Sequence, residues 1–253
     1  VSVLKCPSCD GELMAVADSQ TKIYRCINNH SFDVAREGYL NLHLAQHKRS
    51  KSPGDSEPMI KSRQRFLNGG YYQPLADAIS NTINNCPLSF EQKLLDIGCG
   101  EGYYLQQLRN IAERSNANLE LLGLDVSKAG VRLAAKRKLN ALLVVDSAYK
   151  IPLFDHSVDT VLSVFSPISP EETARVLKTD GYLIMVGPGE EHLTGLTAHI
   201  YDQHQPHAGN FKALDDHPAS VPHTHLRDHA TSHAIVCRPR LDQHTHVTPT
   251  TNR

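Results

Sequence analysis

Four residues near the start of the chain have the types and spacing of a metal site. Cys6-Pro-Ser-Cys9 sets two thiols on one tight turn, and Cys26-Ile-Asn-Asn-His30 adds a third thiol and an imidazole further along. Three soft sulfurs and one nitrogen fit a closed tetrahedral zinc site, which stabilises a fold and leaves no open position for catalysis. The surrounding residues are rich in turn formers and poor in core apolar residues, so a bound Zn2+ is expected to hold this module together.

A second constellation runs from Leu94 to Tyr104, LLDIGCGEGYY, in which an apolar run ends in a glycine-rich turn and a helix begins. Gly98, Gly100 and Gly102 let the backbone pass close to a ligand, while the start of the helix presents free N–H groups. Asp96 precedes the turn, Asp125 ends the next apolar run, and Asp146 ends the one after that. An acidic side chain at the position of Asp125 accepts hydrogen bonds from ribose hydroxyls. This much fits a nicotinamide dinucleotide as well as S-adenosyl-L-methionine.

The elements that must position these residues follow an alternating pattern. PLADAISNTINN is amphipathic, KLLDIG is apolar, a helical segment follows Tyr103, and LELLGLDV precedes SKAGVRLAAKRK. ALLVVD, DTVLSVF and GYLIMVG are further runs of strand length, with the helix-like PEETARVLKT between the last two. Strands alternating with helices imply parallel pairing through right-handed crossovers, hence an α/β fold with a doubly wound, Rossmann-like sheet. The expected organisation is a zinc-binding module over 1–45, a basic linker leading into a helix over 46–68, a cofactor-binding domain over 69–201 and a tail over 202–253. Most of the fifteen histidines lie from His199 onward, among Thr, Pro and Asp. HAIVC is the only strand-like run there, so the tail is expected to be largely disordered and to leave the sheet edge uncovered.

With 253 residues, 40% of them apolar, the chain can bury one substantial core beside a small module. Its formal charge of −1 gives no overall attraction for nucleic acid, so affinity for RNA must be local. Lys48, Arg49, Lys51, Lys61, Arg63 and Arg65 crowd the linker, either as phosphate contacts or as an ordinary solvated connector. No apolar run approaches the roughly 18 residues of a membrane span, and VSVLKCPSCD lacks the apolar stretch of a signal peptide. A cytoplasmic protein with no membrane partner is expected. Cys86, Cys99 and Cys237 have no partners in the pattern and are expected as packing thiols.

DIGCGEG together with DSAYKIPLFDHSVDTVLS resembles the class I methyltransferases. That resemblance implies S-adenosyl-L-methionine as cofactor, with Asp146 and Ser147 beside the adenine and Asp96 near the methionine moiety. CPSCDGEL, CINNHSFDVAREGYLNL, QHKRSKSPGDS, FLNGGYYQPL and LDIGCGEGYY in turn resemble the bacterial 23S ribosomal RNA guanine-N1 methyltransferases, from Cys6 to about Tyr201. This similarity implies zinc on Cys6, Cys9, Cys26 and His30. It places Tyr72, Tyr104, Leu105 and His192 at positions that contact S-adenosyl-L-methionine. It also implies 23S ribosomal RNA as partner and admits a homodimer. Beyond Tyr201 the resemblance stops.

Methylating a ring nitrogen of guanine is an in-line displacement that depends on positioning and on loss of the N1 proton. The run Ser163-Val-Phe-Ser-Pro167 lacks the Asn/Asp-Pro-Pro-aromatic box of exocyclic-amine methylation and the Pro-Cys nucleophile of cytosine C5 methylation. Phe165 fits either a platform for an extruded guanine or a core phenylalanine. Two rival readings remain at this stage: a class I methyltransferase acting on a small molecule, and a catalytically decayed zinc-containing RNA-binding protein.

Overall fold

The computed structural model describes residues 3–17, 22–47, 54–85, 91–188, 199–200, 224–227 and 233–239. Three short antiparallel strands, β1 (Met14–Ala17), β2 (Lys22–Arg25) and β3 (Ser31–Asp33), form a small sheet. The main sheet has eight strands: β4 (Tyr39–Asn41), β5 (Glu91–Ile97), β6 (Asn118–Asp125), β7 (Ala141–Val145), β8 (Val158–Val164), β9 (Leu177–Pro188), β10 (Thr224–Arg227) and β11 (His233–Pro239). The helices are α1 (Glu57–Asn68), α2 (Gln73–Asn85), α3 (Tyr103–Ser115), α4 (Lys128–Lys136) and α5 (Pro170–Val176). Among the described residues no helix is long and apolar enough to cross a membrane.

The order in the main sheet is β10-β11-β9-β8-β5-β6-β7-β4, with β11 antiparallel to both its neighbours and every other pair parallel. The chain starts the parallel core at β5, winds outward through β6 and β7, then returns to the other side of β5 with β8 and β9. Such a reversal opens a crevice at the carboxyl ends of the strands, where open α/β sheets bind ligands.

Alternation along the strands assigns the two faces. Leu94, Leu121, Leu143, Leu162 and Ile184 bury against Leu75 and Ile79 of α2, Leu105 and Leu108 of α3, and Val131 and Ala134 of α4. Leu95, Leu122, Val144, Val161 and Leu183 face the other way, against Leu4, Leu13, Leu40, Leu42, Ile168 and Val176. The cysteine-rich N-terminal segment is therefore the cover of the sheet's second face.

Local chemistry sets the helix limits. Ser127 caps α4 by accepting from the Gly130 amide at 3.3 Å, and Ser169 caps α5 by accepting from that of Glu172 at 3.3 Å. Leu177 already belongs to β9, so the helix predicted over PEETARVLKT stops at Val176. Within the predicted basic linker, α1 begins at Glu57, with Pro58 in its first turn.

Within residues 1–45, β4 pairs in parallel with β7, Leu40 opposite Val144, and so extends the main sheet. One expectation needs correction: the edge of the sheet at β9 is not left uncovered. HAIVC lies in β11, which pairs with β9 with Ile235 opposite Val186, and β10 pairs with β11. The apolar edge of β9 carries backbone groups that need partners, and the hairpin supplies them. THLR is too short and polar to read as a strand without that edge. The rest of 201–253 lies outside the described residues.

Candidate functional site

Cys6, Cys9, Cys26 and His30 come together, each offering a ligand atom within 4.8 Å of all the others. Cys6 Sγ lies 3.6 Å from His30 Nδ1, Cys9 Sγ 3.6 Å from Cys26 Sγ, and Cys26 Sγ 3.4 Å from His30 Nδ1. A tetrahedron with Zn–S of about 2.3 Å and Zn–N of about 2.0 Å has edges of roughly 3.5–3.8 Å. The donor set fits zinc in number, type and spacing. Hydrogen bonds from Gly11 and then Asn28 lower the Cys9 thiol to about 6, which favours the thiolate a metal needs. Backbone turns shape both knuckles, with the Asp10 amide donating to Cys6 O at 2.8 Å and that of Asn29 to Cys26 O at 3.0 Å.

The glycine-rich turn leaves β5 at the point of reversal. Gly98, Gly100 and Gly102 all have positive φ, at 75°, 53° and 83°. A Cβ on Gly98 would sit 2.0 Å from Ser166 Oγ, so the turn lies directly on the loop that follows β8. A Cβ on Gly100 would meet nothing within 4 Å. The turn thus presents open backbone on one side, a cradle that any side chain would fill.

Asp125 ties this turn down. Its Oδ2 accepts from the Gly100 amide at 2.8 Å and its Oδ1 from the Ser127 amide at 2.7 Å. Burial raises its carboxyl above the usual range, against the lowering pull of those two amides. Asp96 is 1% exposed, and its Oδ2 has no hydrogen-bond partner. Burial, with the negative charge of Asp125 nearby, pushes its carboxyl up to about 8. An orphaned carboxyl oxygen beneath an open glycine cradle fits a cofactor that brings its own polar groups. Asp146 Oδ1 accepts from the Ser147 amide at 2.8 Å, and the Asp146 amide donates to Asp125 O at 3.2 Å, so the ends of β6 and β7 adjoin.

The other predicted cofactor residues divide. Tyr72 is half-buried and edge-on to Phe165, with ring centroids 6.2 Å apart. Tyr104 lies in the first turn of α3, its hydroxyl pushed well up by burial first and then by Tyr72, Tyr103 and Asp96. Leu105 is fully buried in the core beneath the helices, which leaves only its backbone to face a ligand. His192 lies outside the described residues, as do Cys86 and the basic residues Lys48, Arg49 and Lys51. Cys99 is a buried thiol, as expected.

The described basic residues are paired rather than bare. Lys61 Nζ lies 3.0 Å from Glu57, Arg63 Nη2 2.7 Å from Asp55, and Arg65 Nη2 donates to Ser62 Oγ at 3.0 Å. The charge of Arg63 opposes the net rise of the Asp125 carboxyl only as the smallest of the contributions there.

Several residues were not singled out by sequence. Glu101, inside the turn, is buried and accepts from Arg137 Nε at 2.8 Å and Gln64 Nε2 at 3.2 Å, linking the turn to α1 and to the end of α4. Ser127 Oγ donates to Asp55 O at 3.0 Å, clamping residues 54–56 onto the start of α4. His43 Nδ1 lies 3.0 Å from Asp146 Oδ1 in a buried pair. These partners are distant in sequence and carry no motif. Phe165, left open between two readings, has φ 53° and is 36% exposed, which sets it outside the core.

Residues 4–51 match the zinc-ribbon family model described as RlmA, N-terminal, and residues 94–181 match a methyltransferase-domain model. The chain is 34% identical over 198 residues to the 23S rRNA (guanine(748)-N1)-methyltransferase of Streptomyces fradiae, covering 78% of this chain and 67% of that protein. It is 31% identical over 226 residues to YxjB of Bacillus subtilis, a candidate 23S rRNA (guanine-N1)-methyltransferase, covering 88% of this chain and 78% of that one. A candidate S-adenosyl-L-methionine-dependent methyltransferase from Methanococcus maripaludis shares the fold, with a TM-score of 0.54 at 18% identity over 78% of this chain and 99% of its own.

Proposed function

The chain belongs to the 23S rRNA (guanine-N1)-methyltransferase family, and on that premise we propose that it transfers the methyl group of S-adenosyl-L-methionine to N1 of a guanine in 23S ribosomal RNA. The observation that carries this reading is the open cradle at Gly100, bonded to Asp125 at 2.8 Å beside the orphaned oxygen of Asp96, in a chain that also holds a complete zinc cluster. The cofactor supplies an electrophilic methyl group on sulfur. The chain supplies its placement.

In this reading the outer lone pairs of Asp125 accept from the ribose hydroxyls, and Asp146 and Ser147 border the adenine. Asp96 and the first turn of α3 face the methionine end, with Tyr72 and Tyr104 closing the side. Asp125 is already fixed by two backbone amides, so little reorganisation accompanies binding. Cys6, Cys9, Cys26 and His30 hold zinc in a structural role. Lys48, Arg49, Lys51, Lys61, Arg63 and Arg65 meet phosphates. Phe165 projects from the loop after β8 in a left-handed conformation that bulky residues avoid, a strain typical of functional positions. Its exposure and its edge contact with Tyr72 support stacking on the target guanine.

The test is mass spectrometry of 23S ribosomal RNA from cells with and without this protein. One 1-methylguanosine should be present only with it. Identical nucleoside profiles from the two would count against the reading.

A further inference from the structure

Among the described residues His43 is the one buried histidine, and it faces the loop after β7 rather than the zinc cluster. Its position follows from pairing in the sheet. Asn41 of β4 lies opposite Val145 of β7, and beyond it the amides of Leu42 and His43 both donate to Val145 O at 3.0 Å. The chain thereby carries His43 alongside Asp146, the residue after β7. His43 Nδ1 meets Asp146 Oδ1 at 3.0 Å, and the two side chains are 5% and 8% exposed. The same oxygen accepts from the Ser147 amide at 2.8 Å, so both donors fix one carboxylate orientation.

The far end of this loop is held from the same side. Leu4 bridges to Leu153, the Lys5 amide donates to Pro152 O at 2.9 Å, and that of Phe154 donates to Val3 O at 3.0 Å. The next residue after Lys5 is the zinc ligand Cys6. Residues 146–151 are therefore bracketed, at their start by His43 and at their end by the segment 3–5 that enters the first zinc knuckle.

We propose that His43 is a positioning residue for the cofactor, orienting the Asp146 carboxylate, and that zinc in the N-terminal ribbon and S-adenosyl-L-methionine at the β5–β7 edge bind with positive linkage. This rests on the reading above that Asp146 borders the adenine. A zinc-loaded ribbon keeps residues 3–5 on Pro152 and Phe154 before the cofactor arrives, so the cofactor does not have to order that end of the loop. Linkage is reciprocal, so cofactor binding must tighten zinc retention by the same factor.

The experiment uses the full zinc-loaded chain. Calorimetric titration with S-adenosyl-L-methionine should give a Kd about tenfold higher for His43→Ala than for the wild type, the effect of losing one buried hydrogen bond to a charged group. His43→Asn, whose amide nitrogen falls where the imidazole Nδ1 lies and can still donate, should recover most of that loss, and both variants should keep one zinc per chain. Independently, saturating S-adenosyl-L-methionine should raise the concentration of a chromophoric chelator needed to strip half the zinc from the wild type. That second measurement decides the matter if His43→Ala fails to fold. Equal affinity in wild type and His43→Ala, or zinc retention indifferent to the cofactor, overturns the proposal while leaving cofactor binding intact. A wild type that binds no S-adenosyl-L-methionine overturns the cofactor reading itself and the proposal with it.

Discussion

The amide of Gly100 donates to Asp125 Oδ2 at 2.8 Å, so the glycine turn that leaves β5 is anchored by the residue that ends β6. One side chain therefore shapes the cradle and lines it.

Asp125→Ala is expected to weaken S-adenosyl-L-methionine binding by about 1–3 kcal/mol, the scale for losing charge-assisted hydrogen bonds and leaving donors unpaired. Calorimetry on the zinc-loaded protein measures it. Unchanged affinity, or tighter binding of a nicotinamide dinucleotide, would remove Asp125 from the site.

Asp96 makes stability depend on pH in an unusual direction. Its carboxyl is pushed up to about 8 in the folded protein by burial and by Asp125, whereas unfolded it titrates near 3.9, about the ordinary aspartate value. Between those limits the folded state keeps a proton that the unfolded chain releases. The contribution is therefore full below about pH 4 and is lost as pH rises through about 8. Asp96→Asn has no such proton to lose. The melting temperature of the variant minus that of the wild type, both without cofactor, should grow from pH 5 to pH 8.5. A difference flat across that range would show that Asp96 keeps its ordinary titration.

Zinc should stabilise the whole sheet, because Leu4, Leu13, Leu40 and Leu42 share one core cluster with Leu95, Leu122 and Val144. Metal analysis should find one zinc per chain. Chelation or Cys9→Ala should raise hydrogen exchange in β4 and β7 as well as in β1–β3. Loss of protection confined to residues 3–33 would mean that the ribbon is energetically separate.

Substituting Lys48, Arg49 and Lys51 together should weaken RNA binding for all sequences alike and flatten its salt dependence by about two to three units of slope. Lys61→Ala should do less, since Lys61 already pairs with Glu57 at 3.0 Å. A triple variant with an unchanged salt slope would return the segment to an ordinary solvated connector.

How far the sequence could be read depended on the range of the interactions. The zinc cluster and the glycine turn were legible because their residues are close in sequence and chemically restrictive. β5 to β9 were legible from apolar runs buried on both faces. β4 was not, since Tyr39–Asn41 is too short to announce itself and takes its place only from β7. The hairpin of β10 and β11 was missed for the same reason, its short runs making sense only beside β9. His43, Gln64 and Arg137 act on Asp146 and Glu101 across 103, 37 and 36 positions, and no local pattern marks such partners. Leu105 shows the converse, a position matched by motif whose side chain serves the core.

The most direct measurement incubates purified zinc-loaded protein with S-adenosyl-L-methionine and unmodified 23S ribosomal RNA, then digests the RNA and identifies its methylated nucleosides by mass spectrometry. The account requires 1-methylguanosine as the product, at a yield that falls sharply for Asp125→Ala. Methyl transfer to another atom or nucleotide, or none at all from protein shown to bind both zinc and S-adenosyl-L-methionine, would contradict it.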